Sequence, residues 1–242
     1  MNLEKYQQYS RIARGLEKAD LVLKDARIVN VFTEEIIRGD IAIQDGIIAG
    51  IGSFHGKEER DLAGRYVCPG FIDSHLHLES TLVTPAELVT AASRHGTTTF
   101  IVDPHESANV SGLAGIDYIL DQTEDVKANV YVMMPSCVPA TAIDDNGCTL
   151  TAGDMAPYLH NSRILGLGEV MDSISVVQGE KSMHDKLELF EGRIRDGHAP
   201  FLEEGDLQAY AMAGIATDHE CSFFDYAMRE RRNGLTILVR EG

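Results

Sequence analysis

The chain has 242 residues, 44% hydrophobic and 24% charged, enough for one large α/β domain or a large domain with a small one. Its net charge of −17 would be repelled by a nucleic-acid backbone or an anionic membrane, so neither is expected as a partner; a neutral small molecule is unaffected. Four cysteines (Cys68, Cys137, Cys148, Cys221) without CxxC spacing, a polar N-terminus and no run of eighteen apolar residues point to a reduced, cytoplasmic protein.

In chain order, Leu3 to Lys18 read as a short polar helix within an N-terminal segment, residues 1–19. From Asp20 the short β-branched runs LVLKDARIVNV and DIAIQDGIIAGIG are broken by Gly and Asp, with Gln44-Asp45-Gly46 as a hairpin turn. Residues 20–64 are therefore expected to form a small antiparallel β-domain, ending in the charged loop HGKEERDLAG. Beyond it, apolar strand candidates fall at Val67–Ile72, Thr97–Val102, Val130–Met134, Ile164–Val170, Ile194–Gly197, Ile215–Asp218 and Thr236–Val239. Helical segments at Pro85–Arg94, Leu113–Gln122, Lys181–Glu191, Asp206–Ala213 and Phe223–Arg232 separate most of them; the connection from Pro135 to Arg163 shows only a short helix near Met155–His160. Alternation of this type means a parallel sheet with helices outside. The fold class is α/β: an incomplete (β/α)8 TIM-type barrel over residues 65–242, with seven strands and no eighth, beside the small β-domain.

Polar residues gather where these strands end, and in a barrel such ends meet at one mouth. In CPGFIDSHLHLES the residues Asp73, His75, His77 and Glu79 alternate, so a continuous strand would point all four to one face. One such histidine is more often a satisfied buried side chain, but two neutral imidazoles at i and i+2 can grip one divalent ion. Glu169 in GLGEVM could be a solvated loop residue, or a carboxylate bridging two cations. His198 in DGHAP and His219 in TDHEC are further ligand candidates, each flanked by an acid that could fix its ring tautomer. The cluster Asp103-Pro104-His105-Glu106 is either a loop packed by its proline or a substrate contact, with Asp103, His105 and Glu79 as the contacting residues. HExxH, GxGxxG, Walker A and GxSxG motifs are absent; His77-Leu-Glu79 matches HxE, but no PCxxC follows.

The segment CPGFIDSHLHLES resembles the signature of the amidohydrolase superfamily, PGxIDxHxH. More narrowly, HLHLEST, GTTTFIVDPHESANV, GLGEVM, DGHAP and GIATDHE resemble the bacterial adenine deaminase family, in order, from about Asp20 to the end. The resemblance implies His75 and His77 on one metal ion, His198 and His219 on a second, and Glu169 in the bridging place. It implies two divalent ions, manganese or iron before zinc, a purine substrate and a homo-oligomer. The implied reaction is attack of activated water at C6 of adenine, giving hypoxanthine and ammonia, with Glu220 or Glu106 as proton donor. Members of the family continue through a further strand carrying an aspartate ligand, so the chain as written is expected to deaminate adenine very slowly or not at all. The alternatives are another amidohydrolase, such as an N-acetyl-sugar deacetylase, and a truncated, non-catalytic paralogue.

Overall fold

The computed structural model describes residues 1–141 and 143–240; Ala142, Glu241 and Gly242, within the expected barrel domain, lie outside the described residues. The chain divides into two units, Met1–Pro69 and Gly70–Gly242.

The first unit opens with α1 (Leu3–Ala13), capped by the Asn2 side chain, which accepts from Lys5 N. The helix stops short of Lys18 because Gly15 takes a positive φ of 70° and turns the chain. Strands β1 (Ala19–Asn30), β2 (Glu35–Gln44), β3 (Ile47–Gly52), β4 (Gly56–Asp61) and β5 (Tyr66–Val67) follow. β1 pairs antiparallel with β2, and β2 with β3 across the Asp45-Gly46 turn. β4 and β5 run parallel to β1, so the sheet is mixed where a purely antiparallel one was expected. The supposed charged loop contains β4: at the end of the strand order, backbone pairing needs no buried side chain, and charges suit an exposed edge. Ala26, Ile28 and Ile41 form one buried cluster and Ile12, Val22 and Ala42 another.

The expected strand Val67–Ile72 is two strands. Pro69 has no N–H for a ladder, so Val67 ends β5 and a new strand starts at Phe71. Pairing of Tyr66–Val67 with β1 also moves the unit boundary from residue 64 to Pro69.

The second unit contains β6 (Phe71–Leu76), α2 (Pro85–Ser93), β7 (Thr97–Val102), α3 (His105–Ser111), α4 (Leu113–Gln122), β8 (Asn129–Met134), α5 (Ala152–Met155), β9 (Ile164–Val170), α6 (Ser173–Gln178) and α7 (Lys181–Leu189). It continues with β10 (Ile194–Gly197), α8 (Glu204–Met212), β11 (Thr217–Asp218), α9 (Phe224–Arg232) and β12 (Thr236–Ile237). The expected helix near Met155–His160 is α5 followed by a 3-10 turn, Ala156–His160, started by a Thr151–Asp154 capping box. Helices α3 and α6 were not anticipated, because seven and six residues are too few to show a helical period.

β6 to β10 form one parallel sheet in sequence order, without the reversal that marks a doubly wound sheet. β11 and β12 form a separate parallel pair, linked to β10 through Ala216 N donating to Arg195 O. Seven strands in this order, each returning through helix, make an incomplete TIM-type barrel. Its core packs strand residues Phe100, Val102, Val132 and Leu167 against helix residues Ile116, Ile119 and Leu187. Among the described residues, no helix is long and apolar enough to cross a membrane.

Candidate metal centre

Because the strands are parallel, their carboxyl ends share one edge, and the chemistry collects there. Glu169, in β9, is buried at its centre. Its Oε1 lies 2.7 Å from Nε2 of His75, in β6, and 2.8 Å from Nε2 of His77, just after it. Its Oε2 lies 3.1 Å from Nδ1 of His198, which follows β10. Nε2 of His219, after β11, is 3.7 Å from Oε1. Three strand ends thus deliver four imidazoles to one carboxylate on a fourth strand. A cavity of about 490 Å³ opens on His75, His77 and His219, walled by Thr81, Leu238 and Arg240.

Hydrogen bonding shows what these atoms can accept. His77 Nδ1 donates to the carbonyl O of Asp103 at 2.8 Å, and His75 Nδ1 faces Asp196 Oδ2 at 2.9 Å. Both rings can then present unprotonated Nε2 atoms, 3.1 Å apart, towards Glu169 Oε1. That oxygen has no partner of hydrogen-bond geometry among the described residues, nor has either ring nitrogen of the buried His219. Leaving such groups unmet costs about 1–3 kcal/mol each. Converging lone pairs of nitrogen and carboxylate oxygen fit divalent cations, and two triads share Glu169: His75 with His77, and His198 with His219.

Protons fill the same role when no cation is bound. Burial opposes charge on His75, but the Asp196 and Glu169 carboxylates outweigh it and push the ring up to about 10. His77 is likewise opposed by burial and raised to about 9 by Glu169 and the Asp103 carbonyl. Burial would raise Glu169, yet His198, His75 and His77 hold it far below the usual carboxylate range. His219 is lowered, by burial and by neighbouring His75.

Three carboxylates beneath the histidines set the geometry. Asp103 Oδ2 accepts Glu169 N at 2.7 Å, close above Gly168. Asp196 Oδ1 accepts Gly197 N while Oδ2 holds His75. Asp218 accepts Ala199 N and Glu220 N, tying together the segments that carry His198 and His219. Asp196 flanks His198, and Asp218 and Glu220 flank His219; the two aspartates bond elsewhere than to their neighbouring rings, whereas Glu220 stands beside the His219 ring. Asp218 and His219 are adjacent, so their side chains point to opposite faces and Asp218 braces backbone. Asp196 and His198 are two apart, but β10 ends at Gly197, so the period of two does not carry on to His198 and Asp196 Oδ2 reaches His75 instead. An acid before a strand-end histidine was the available signal; its partner was not.

The remaining candidates divide. Glu220 Oε1 lies 3.5 Å from His219 Nε2 and 4.0 Å from His198 Nδ1, and accepts from Arg240 Nη1 at 2.8 Å. His105 packs its ring edge-on to His77 with centroids 4.6 Å apart, and its Nδ1 is 3.6 Å from Asp103 Oδ1. Asp73 lines the cavity. Glu79 leaves the alternation, because a 3-10 turn at Leu78–Thr81 ends the period of two; its Oε1 instead accepts Glu106 N and Ser107 N. Glu106 is exposed, accepts from Ser80 Oγ at 2.6 Å and has no contact with the histidine cluster among the described hydrogen bonds and ion pairs.

Residues 66–238 match the profile of the amidohydrolase family. An adenine deaminase of Desulfitobacterium hafniense is 57% identical over 242 residues, 100% of this chain and 42% of the relative. One from Clostridium acetobutylicum is 48% identical over 95% of this chain and 41% of its own length. The chain therefore spans about two fifths of the length of these curated relatives. A β-aspartyl dipeptidase from Fervidobacterium islandicum superposes with a TM-score of 0.61 at 14% identity, over 91% of this chain and 64% of that one, a likeness of fold.

Proposed function

The chain belongs to the amidohydrolase family, whose members bind divalent metal, and from that premise we propose that it serves metal-dependent deamination of adenine to hypoxanthine and ammonia. The observation that carries the reading is the single buried carboxylate of Glu169 shared by histidines from three other strand ends. His75 and His77 would hold one ion, His198 and His219 a second, and Glu169 both, with manganese or iron as the ions. Divalent cations supply, when bound, the Lewis acidity that makes water nucleophilic at neutral pH.

The chain's own groups do the rest. Asp196 and the Asp103 carbonyl hold Nδ1 of His75 and His77, which aims each Nε2 inward. The cavity seats a neutral, planar base, and its size is that of small-molecule sites. Water adds to C6 and the amino group leaves as ammonia. Glu220 would pass a proton to the ring nitrogen next to C6, a role supported by its position beside both His198 and His219. Asp103 and His105 remain candidates for substrate contact.

The test joins metal content to turnover. Loaded with manganese, the protein should hold two ions per chain and release ammonia from adenine at most slowly, and Glu169→Gln should lower both. Glu169→Gln with unchanged metal and ammonia release, or acetate released from an N-acetylated amino sugar in place of ammonia from adenine, overturns the proposal. Two bound ions with no measurable ammonia release would leave the metal centre standing and remove catalysis from this chain.

A further inference from the structure

A second group of ligand-type atoms lies just beyond His219. Asp218, Cys221 and Glu230 offer two carboxylates and a thiol whose ligand atoms all fall within 4.8 Å of one another. Cys221 Sγ is 2.7 Å from Glu230 Oε2 and 3.4 Å from Asp218 Oδ2. Both acids are fully buried, and Cys221 is half-buried.

Charge balance makes this cluster unusual. Neither acid forms an ion pair with a lysine, arginine or histidine among the described residues. Arg229 Nη2 donates to Leu202 O and its guanidinium pairs with Glu204, while Arg240 pairs with Glu220. Glu230 Oε1 is buried without a hydrogen-bond partner among the described residues, although Asp218 and Tyr226 face the same carboxyl group. Buried carboxylates are ordinarily paired, neutralised or bound to metal.

We propose that Asp218, Cys221 and Glu230 form a separate site for a zinc-type divalent cation. Thiolate with carboxylate selects borderline ions of the zinc class over magnesium or calcium, which take oxygen alone. In a tetrahedral zinc site, sulfur and oxygen ligands stand about 3.5 Å apart. The Asp218 pair already matches that spacing, and the Glu230 pair must open by roughly 0.8 Å. Binding releases the thiol proton and any proton on Glu230 to solvent, and leaves the fourth position to water. Because Asp218 also accepts Ala199 N and Glu220 N, an ion here braces the segments bearing His198 and His219.

Cobalt(II) tests the proposal on the full chain. Its thiolate complexes show a near-ultraviolet charge-transfer band that histidine and carboxylate ligands do not produce. The wild-type protein should show this band; Cys221→Ser should lose it together with one ion per chain, and Glu230→Gln should weaken it. Glu169→Gln should keep the band while losing ions at the histidines, which separates this site from the centre proposed above. A cobalt-loaded wild-type protein without the band, or a band that survives Cys221→Ser, overturns the assignment.

Discussion

Adding one methyl group at Gly168 tests the support beneath the metal centre. A Cβ built there lies 2.2 Å from Asp103 Oδ2 and 2.7 Å from its Cγ, whereas real Cβ atoms essentially never approach other atoms below 3.0 Å. Asp103 must therefore retreat by about 0.8 Å. Its hydrogen bond from Glu169 N, now 2.7 Å, would lengthen beyond useful range. Loss of a bond to a buried charged acceptor costs about 1.5–3 kcal/mol, and overpacking adds about 1–3 kcal/mol. Gly168→Ala should thus destabilise the barrel unit by about 3–5 kcal/mol, and weaken metal binding because Glu169 loses its backbone anchor. Urea unfolding followed by circular dichroism measures the first, since the chain has no tryptophan, and a chelator titration measures the second. Gly205→Ala is the control: nothing lies within 4 Å of its added Cβ, so stability should change by no more than about 1 kcal/mol. If Gly168→Ala behaves like Gly205→Ala, the account of Asp103 as the strut under Glu169 is wrong.

Asp196→Asn should weaken metal binding about 10–100-fold, because the amide orients His75 less firmly than the carboxylate; a chelator competition that finds affinity within twofold of wild type contradicts this. In the first unit, Asp40 is buried, pairs with Lys24 and accepts Asp25 N and Phe54 N. Burial alone would raise its pKa, but Lys24 and the two amides hold it below 3.8. Its contribution is therefore complete above the unfolded value of about 3.9 and lost as pH falls through the lower folded value. Asp40→Asn should cost about 3 kcal/mol at neutral pH and flatten the acid limb of stability, read by amide exchange in β1 and β2. An unchanged acid limb would refute it.

Features that depend on neighbours a few residues away could be read directly from the chain. The apolar runs of β7 and β9 and the helix Leu113–Gln122 were legible because burial on one face repeats with a fixed period. Two histidines in alternation, a glutamate closing an apolar run and DGH and TDHE at later strand ends were enough to mark a candidate metal centre. The KEER run carries no strand signal in the sequence, because an edge strand exposed on both faces leaves no pattern of burial. Glu79 was misplaced because the period of two holds only while the strand lasts, and a turn begins at Leu78.

Partnership was decided by tertiary structure alone. Asp196 meets His75 across 121 residues of chain, and Asp103 meets Glu169 across 66. Glu106, one residue from His105, is bonded to Ser80 and stands outside the cluster. Residue type and period determine which groups can bind an ion and which face of a strand they occupy. Only the stacking of parallel strands in order, which sets their carboxyl ends side by side, determines which of those groups share one.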